Sequence, residues 1–166
     1  MSNSVLDGKR MLAVDDEPDI LAILEQEIQD GCTECTFDKA VSYEEAVKFL
    51  NSNDYDLIVL DIMGVRGFDL LEMAVKKNLK VAMLTAHALT PSALKRSHDM
   101  GARAYLPKDK LGEIVPFLED VLTQSFESGW ERLMDRLNVY FKAAFKSIDW
   151  EKEIGFDWRK KTGRRY

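Results

Sequence analysis

The chain has 166 residues, 46% of them hydrophobic, and a net charge of −6. This composition excludes a disordered, collagen-like or disulfide-built protein, and the length favours one domain of ordinary size with an appendage. No run reaches the roughly 18 apolar residues of a membrane span, and the charged N-terminal stretch does not fit a signal peptide. We therefore expect a cytoplasmic protein. Cys32 and Cys35 agree with this expectation, since two cysteines are too few for a disulfide framework and suit a reducing compartment.

The charge is divided unevenly along the chain. Residues 1–125 contain 22 acidic and 13 basic residues, a net charge of −9, whereas residues 126–166 contain 7 acidic and 10 basic residues, a net charge of +3. An acidic body repels phosphates, so we expect no nucleic-acid binding by it. The change in charge predicts a first domain over residues 9–123 and a helical, aromatic and basic extension over residues 126–166.

The first domain alternates short apolar runs with amphipathic stretches, a pattern typical of βα units around a parallel sheet. Strands are predicted at residues 10–14, 33–37, 56–60, 80–84 and 103–106. Helix start signals lie between them: Pro18 suits a first helical turn, Ser42 and Glu45 form a capping box, and Thr90 precedes Pro91 as an N-cap. We therefore expect an α/β fold with a doubly wound sheet of five parallel strands.

The extension begins with apolar side chains at helical spacing, among them Trp130, Leu137, Phe141 and Phe145. This period predicts a long amphipathic helix over residues 126–148. Its aromatic stripe requires a partner surface. Three partners stay open at this point: the first domain, a second copy in a homodimer, and a target protein.

Chemically active side chains stand where the predicted strands end. Asp15 and Asp16 follow the first strand, Asp61 the third, Thr85 the fourth, and Lys108 comes just after the fifth. Parallel sheets bind ligands beyond the carboxyl ends of their strands, where the strand order reverses. The next two residues, a glutamate and a proline, open the first strand into a loop, which lets both members of the aspartate pair face one site.

Three neighbouring carboxylates require positive charge. Two of them about 4 Å apart repel by roughly 4 kcal/mol at an effective dielectric constant near 20. Lys108 offsets part of this charge, and Mg2+ with oxygen ligands offsets it better. Because a carboxylate can also be the nucleophile in phosphoryl transfer, the pattern predicts magnesium-dependent phosphoryl chemistry.

Four motifs resemble, in their order along the chain, the receiver domain of two-component response regulators. They are VDDEPDI after the first strand, LIVLDIM ending the third, MLTAHA at the fourth and GARAYLPKD around the fifth. The resemblance covers residues 9–123 and implies a flavodoxin-like fold. It implies that Asp61 accepts a phosphoryl group from a histidine kinase or phosphotransfer protein. Such a domain catalyses only its own phosphorylation and dephosphorylation and is not a metabolic enzyme.

The resemblance also implies roles for the other residues. Lys108 would pair with the phosphoryl oxygens, and Thr85 would donate its hydroxyl to the phosphate. Tyr105 would be the switch aromatic, whose orientation reports the change to the surface of the fourth helix, fifth strand and fifth helix. The implied ligands of Mg2+ are the carboxylates of Asp15, Asp16 and Asp61 and the backbone carbonyl of Met63.

The chain departs from the family pattern at several places, two of which adjoin the predicted site. Gly64 stands where the family usually has a proline, in a loop that is shortened after Asp61. Lys108 is followed by Asp109, whereas the family commonly has a proline there. The extension is too short for a winged-helix DNA-binding domain, so we expect output through contact with a downstream protein target.

Two other functions remain alternatives. The first is an inactive receiver that serves as a docking module. The second is a small magnesium-dependent phosphohydrolase, which places an Asp-x-Asp nucleophile motif on the first strand and therefore fits less well. The Cys32 and Cys35 pair is predicted to be structural, and His87 is predicted to border the site. His98 has no predicted chemical role.

Overall fold

The centre of the structure is a sheet of five parallel strands. The strands are β1 (Arg10–Val14), β2 (Thr36–Ala40), β3 (Leu57–Asp61), β4 (Lys80–Thr85) and β5 (Ala104–Pro107). Their order across the sheet is β2-β1-β3-β4-β5. The computed structural model describes residues 4–32, 34–86, 89–145 and 150–155. The five-stranded, doubly wound α/β architecture predicted from the sequence is confirmed.

Seven α-helices accompany the sheet in the described residues. They are α1 (Pro18–Gly31), α2 (Tyr43–Ser52), α3 (Gly67–Lys76), α4 (Pro91–Asp99), α5 (Ile114–Thr123), α6 (Phe126–Phe145) and α7 (Trp150–Ile154). The predicted N-caps are confirmed: the Ser42 hydroxyl accepts a hydrogen bond from the Glu45 amide, and the Thr90 hydroxyl from the Ala93 amide. None of these helices combines the length and apolar character that crossing a bilayer requires.

The strand order places a switch point between β1 and β3. The chain runs outward from β1 to the edge strand β2 and then returns across β1 to form β3. Right-handed crossovers put the contacting pair α1 and α5 on one face of the sheet, and the contacting pair α2 and α3 on the other. Because β1, β3 and β4 are covered on both faces, almost all of their residues are buried. The switch point therefore lies between two buried central strands, at their carboxyl ends.

Strand β2 is displaced from its predicted position. It spans Thr36–Ala40 rather than residues 33–37, while the other four strands begin within one residue of their predicted starts. As an edge strand it buries only Ala40, so hydrophobicity gives little indication of its place. Its polar residues are paired instead: Asp38 accepts a hydrogen bond from the Tyr55 hydroxyl, and Lys39 contacts Glu25.

Helix α6 confirms the amphipathic helix predicted in the extension as far as Phe145, and residues 146–149 lie outside the described part of the chain. Its partner surface is the first domain itself: α6 contacts β5 and α5, and α7 contacts α4. Every residue of β5 is consequently buried, although β5 is the second edge of the sheet.

The contact between α6 and the first domain is strongly apolar. Trp130 is 2% exposed and Phe141 is fully buried. An aromatic side chain of this size buries roughly 150–250 Å², which corresponds to about 4–6 kcal/mol at 25 cal/mol per Å². The histidine at position 98 joins the same contact, with its ring centroid 5.1 Å from those of Phe126 and Trp130. Burial of this extent stabilises α6 on the domain.

Candidate functional site

The carboxyl ends of the strands bring the predicted residues to one edge of the sheet. Asp15 directly follows β1, Asp61 is the last residue of β3, and Thr85 is the last residue of β4. Lys108 follows β5 and opens a short 3-10 helix, Lys108–Glu113. The strand register accounts for this gathering, since β1, β3 and β4 are adjacent and end at nearly the same level.

Three carboxylates form the centre of the site. Asp15, Asp16 and Asp61 each place an oxygen within 4.8 Å of the other two. Asp15 and Asp61 are buried, at 1% and 4% exposed, whereas Asp16 is exposed. The Glu17 amide donates a 2.9 Å hydrogen bond to Asp15 Oδ1, and this bond turns the chain just after β1. The opening of the strand expected from the sequence therefore lets neighbouring aspartates face one pocket.

Lys108 supplies the positive charge beside these carboxylates. Its Nζ lies 2.9 Å from Asp15 Oδ2, 3.1 Å from Glu17 Oε1 and 3.4 Å from Asp61 Oδ1. Its side chain is 7% exposed. Sequence reasoning assigned Glu17 only to the opening of the strand and missed its contact with Lys108. Its position beside the aspartate pair was the available signal.

The site carries more negative charge than its lysine neutralises. Burial, together with the charge of Asp15, raises the pKa of Asp61 to about 7, against the opposing effect of Lys108. Burial likewise raises the pKa of Asp15, although its hydrogen bond with Lys108 acts in the other direction. Burial alone would lower the pKa of Lys108, but the carboxylates of Asp15, Glu17 and Asp61 together raise it. The pocket thus holds a charged lysine and still favours a further cation or a proton.

The short loop after β3 fits closely around the carboxylates. Gly64 has a φ of +88°, and a Cβ at this position would lie 2.6 Å from Asp16 Cγ. A proline is incompatible with this backbone because its ring fixes φ near −65°. The departure from the family pattern at this position therefore has a physical reason: the shortened loop turns through a left-handed conformation directly beneath Asp16.

Met63 lies in the same loop and is 53% exposed. Its exposure agrees with the expectation that the side chain takes no part in the site. The role of its backbone carbonyl stays a prediction.

Thr85 and Tyr105 occupy different positions relative to the carboxylates. Thr85 is buried at the end of β4, one residue beyond Leu84, which pairs with Asp61 across the sheet. Tyr105 is fully buried in β5 and lies outside the carboxylate cluster. Its hydroxyl accepts a hydrogen bond from the Thr90 amide at 3.0 Å, which ties it to the N-terminus of α4. The predicted neighbour His87 lies outside the described residues.

The cysteine pair lies away from this site, at the amino end of β2. The Cys35 thiol donates to the Cys32 carbonyl oxygen at 3.7 Å. Burial raises the pKa of the Cys32 thiol to about 12, so the thiolate needed for redox or metal chemistry is disfavoured.

Replacing Asp61 by asparagine should stabilise the metal-free protein at high pH. The pKa of Asp61 is about 7 in the folded protein against 3.8 normally. Ionisation of Asp61 therefore does not reduce the free energy of unfolding below pH 3.8. As the pH rises from there towards 7, it reduces the free energy of unfolding by up to about 1.4 kcal/mol per pH unit. Urea unfolding with a chelator should show Asp61→Asn more stable than wild type by about 2–4 kcal/mol at pH 8, with the difference closing towards pH 4.

The matched control for this experiment is Asp54→Asn, an exposed aspartate at the opposite end of β3. It should leave the free energy of unfolding unchanged at both pH values. An Asp61→Asn variant less stable than wild type at pH 8 would contradict the electrostatic account.

Known proteins resemble this chain in both sequence and structure. It is 37% identical over 92 residues to the two-component response regulator ARR18 of Arabidopsis thaliana, a match that covers 53% of this chain and 14% of that protein. It is 33% identical over 106 residues to the transcriptional regulatory protein TcrA of Mycobacterium tuberculosis, covering 61% of this chain and 40% of that protein. The chain therefore spans less than half the length of these relatives.

A solved structure of a response regulator is also similar to this chain. The response regulator TrrA of Thermotoga maritima, in complex with Mg2+-BeF, superimposes with a TM-score of 0.59 at 33% identity, covering 69% of this chain and 99% of that one. The model of the response regulator receiver domain family matches residues 11–118. Helices α6 and α7 lie beyond that match. Because the family model covers more than half of the chain, this chain belongs to the response regulator receiver domain family of two-component signalling.

Proposed function

We propose that the chain is a phosphorylation-activated switch in which Asp61 accepts a phosphoryl group from a partner histidine kinase or phosphotransfer protein. The observation that carries this proposal is the meeting of Asp15, Asp16 and Asp61 around Lys108. In the transfer, the P–N bond of a phosphohistidine breaks as a bond forms between phosphorus and an Asp61 carboxylate oxygen. The electron pair of the P–N bond stays with the imidazole nitrogen.

The donor set fits Mg2+. Three carboxylates with oxygens within 4.8 Å of one another, and a raised pKa at two of them, provide hard oxygen ligands and a surplus of negative charge. We propose that Asp15, Asp16 and Asp61 hold this ion with the backbone carbonyl of Met63. When bound, Mg2+ supplies positive charge to the carboxylates and to the oxygens of the transferring group.

The remaining side chains have proposed roles in holding the phosphoryl group. The Lys108 ammonium group exchanges its contact with Glu17 for a phosphoryl oxygen, and Thr85 donates its hydroxyl to another oxygen. Tyr105 is the proposed switch aromatic, because its hydroxyl contacts Thr90, five residues after Thr85 along the chain. The aspartyl phosphate would carry about −1.5 to −2 where the carboxylate carries −1, and Tyr105 would transmit the effect of this change to α4.

The output proposed is contact with a downstream protein, in the cytoplasm, rather than binding to DNA. The net charge of −9 over residues 1–125 supports this part, since an acidic surface repels phosphate backbones. We further propose residues 9–123 as the receiver domain, residues 126–166 as its extension, and a homodimer as a possible assembly of the active form. Apart from its own phosphorylation and dephosphorylation, the domain is proposed to have no enzymatic activity.

A small phosphodonor such as acetyl phosphate, supplied with Mg2+, tests the central role of Asp61. Intact-mass spectrometry should show the addition of one phosphoryl group to the wild-type chain. Asp61→Asn should show none, because it lacks the nucleophilic oxygen, whereas the control Asp54→Asn should react like wild type. No reaction of the wild type would support a docking module instead, and continuous multiple turnover would support a phosphohydrolase.

The Gly64 loop provides a test of the metal ligands. Gly64→Ala places a Cβ against the Asp16 carboxylate and should weaken Mg2+ binding by roughly tenfold or more in calorimetric titration. Gly8→Ala is the matched control, because Gly8 also has a positive φ, +75°, but an added Cβ there meets nothing within 4 Å. Both variants carry the backbone strain, about 1–2 kcal/mol. Equal Mg2+ affinity in the two variants would show that Asp16 is not a ligand of the ion.

A further inference from the structure

Helices α6 and α7, named here the C-terminal cap, cover a continuous face of the receiver formed by α4, β5 and α5. The cap lies beyond the residues that the family model matches. Both of the tryptophans described in the cap are buried. The buried hydrophobic residues of the cap are Trp130, Leu133, Met134, Leu137, Phe141, Trp150 and Ile154. The cap is therefore docked within the same molecule rather than projecting from it.

Polar contacts fix the first half of α6 in one position. The Trp130 Nε1 atom donates a buried hydrogen bond to the Ala102 carbonyl oxygen at 2.9 Å. Arg132 Nε lies 3.0 Å from Asp120 Oδ1 on α5. A buried donor that satisfies a backbone carbonyl is costly to remove, so this pairing sets the register of α6 on the domain.

The second half of α6 reaches the residue beside the active-site lysine. The Tyr140 hydroxyl donates a 3.0 Å hydrogen bond to Asp109 Oδ2, and Lys110 Nζ lies 5.5 Å from the centre of the Tyr140 ring. Asp109 is joined to Lys108 by a single peptide bond and stands where the family commonly has a proline. A proline has no side-chain acceptor, so this contact depends on a departure from the common family pattern. The neighbouring Phe141 ring lies 6.0 Å from that of Tyr105.

We propose that the C-terminal cap opposes phosphorylation of Asp61 and is coupled to the site through the Tyr140–Asp109 hydrogen bond. This inference rests on the proposed function. Lys108 Nζ is shared among Asp15, Glu17 and Asp61, and in that position the next residue accepts a hydrogen bond from Tyr140. The full set of cap contacts thus accompanies direct contact of Lys108 with the Asp61 carboxylate, a contact that a phosphoryl group on Asp61 would change.

A phosphoryl group on Asp61 changes the balance at Lys108. The phosphoryl oxygens carry about −1.5 to −2 in place of the single charge of the carboxylate, and they draw the ammonium group away from Glu17. Because Lys108 and Asp109 are the first two residues of the same 3-10 helix, we expect a backbone shift that accompanies this movement to strain the bond between Asp109 and Tyr140. Coupling between two sites is reciprocal, so loosening the cap must favour the modified state to the same extent.

Beryllium fluoride, a phosphoryl mimic, tests this coupling in the full chain. With Mg2+ constant, its affinity can be measured by 19F NMR. Tyr140→Phe keeps the ring and removes the hydroxyl, and we expect its affinity to rise about fivefold, the lower end of typical allosteric couplings. Trp130→Phe loosens the cap at the other end of α6 and should shift the affinity in the same direction.

Tyr55→Phe is the matched control for lost stability. The Tyr55 hydroxyl also donates to an aspartate, Asp38 Oδ2 at 2.7 Å, but at the opposite end of the sheet. Its loss should leave the affinity for beryllium fluoride unchanged. Tryptophan emission provides a second readout, since all three tryptophans of the chain lie at or beyond position 130. In wild type the emission should move to longer wavelength on addition of beryllium fluoride, as buried Trp130 and Trp150 meet water.

The outcomes separate this inference from the proposed function. If wild type does not bind beryllium fluoride, the proposed function fails and the inference fails with it. If wild type binds but Tyr140→Phe shows equal or lower affinity, the inference alone is overturned. An affinity unchanged in Trp130→Phe, or a wild-type emission that does not move, also overturns it, because the cap as a whole is then uncoupled from Asp61.

Discussion

The constraint on which the rest of this structure depends is the concentration of negative charge at the switch point between β1 and β3. Asp15 and Asp61 are buried within a few ångströms of each other, with Asp16 at the rim, and Lys108 alone does not balance them. A domain that keeps such a pocket loses stability when the pocket is ionised and has no partner cation. The same surplus favours a divalent ion, and the proposed phosphorylation of Asp61 depends on it.

Much of this site could be predicted from the sequence because parallel strands impose it. Once Asp15, Asp61 and Lys108 are placed at strand ends, the strand order leaves them no other place to meet. Strand β2 was predicted less well because an edge strand of polar residues carries a weak hydrophobic signal. The contact of Glu17 with Lys108 depends on side-chain direction after a turn, which spacing alone does not specify.

The surface that covers α6 could not be predicted from the sequence, for a different reason. Its amphipathic period reveals that one face must be covered, yet the period is the same whether the cover is this domain, a second copy or a target. The structure answers this through individual contacts, such as Trp130 with the Ala102 carbonyl and Tyr140 with Asp109. Asp109, which follows Lys108 along the chain, therefore lies next to the carboxylate site and also contacts α6.

The charge surplus is measured most directly by following the side-chain carboxyl 13C shift of Asp61 through a pH titration, with and without Mg2+. The account predicts a pKa of about 7 in the metal-free protein and a much lower value when Mg2+ is bound, since the ion favours the carboxylate. A pKa near the ordinary 3.8 that does not respond to Mg2+ would contradict it.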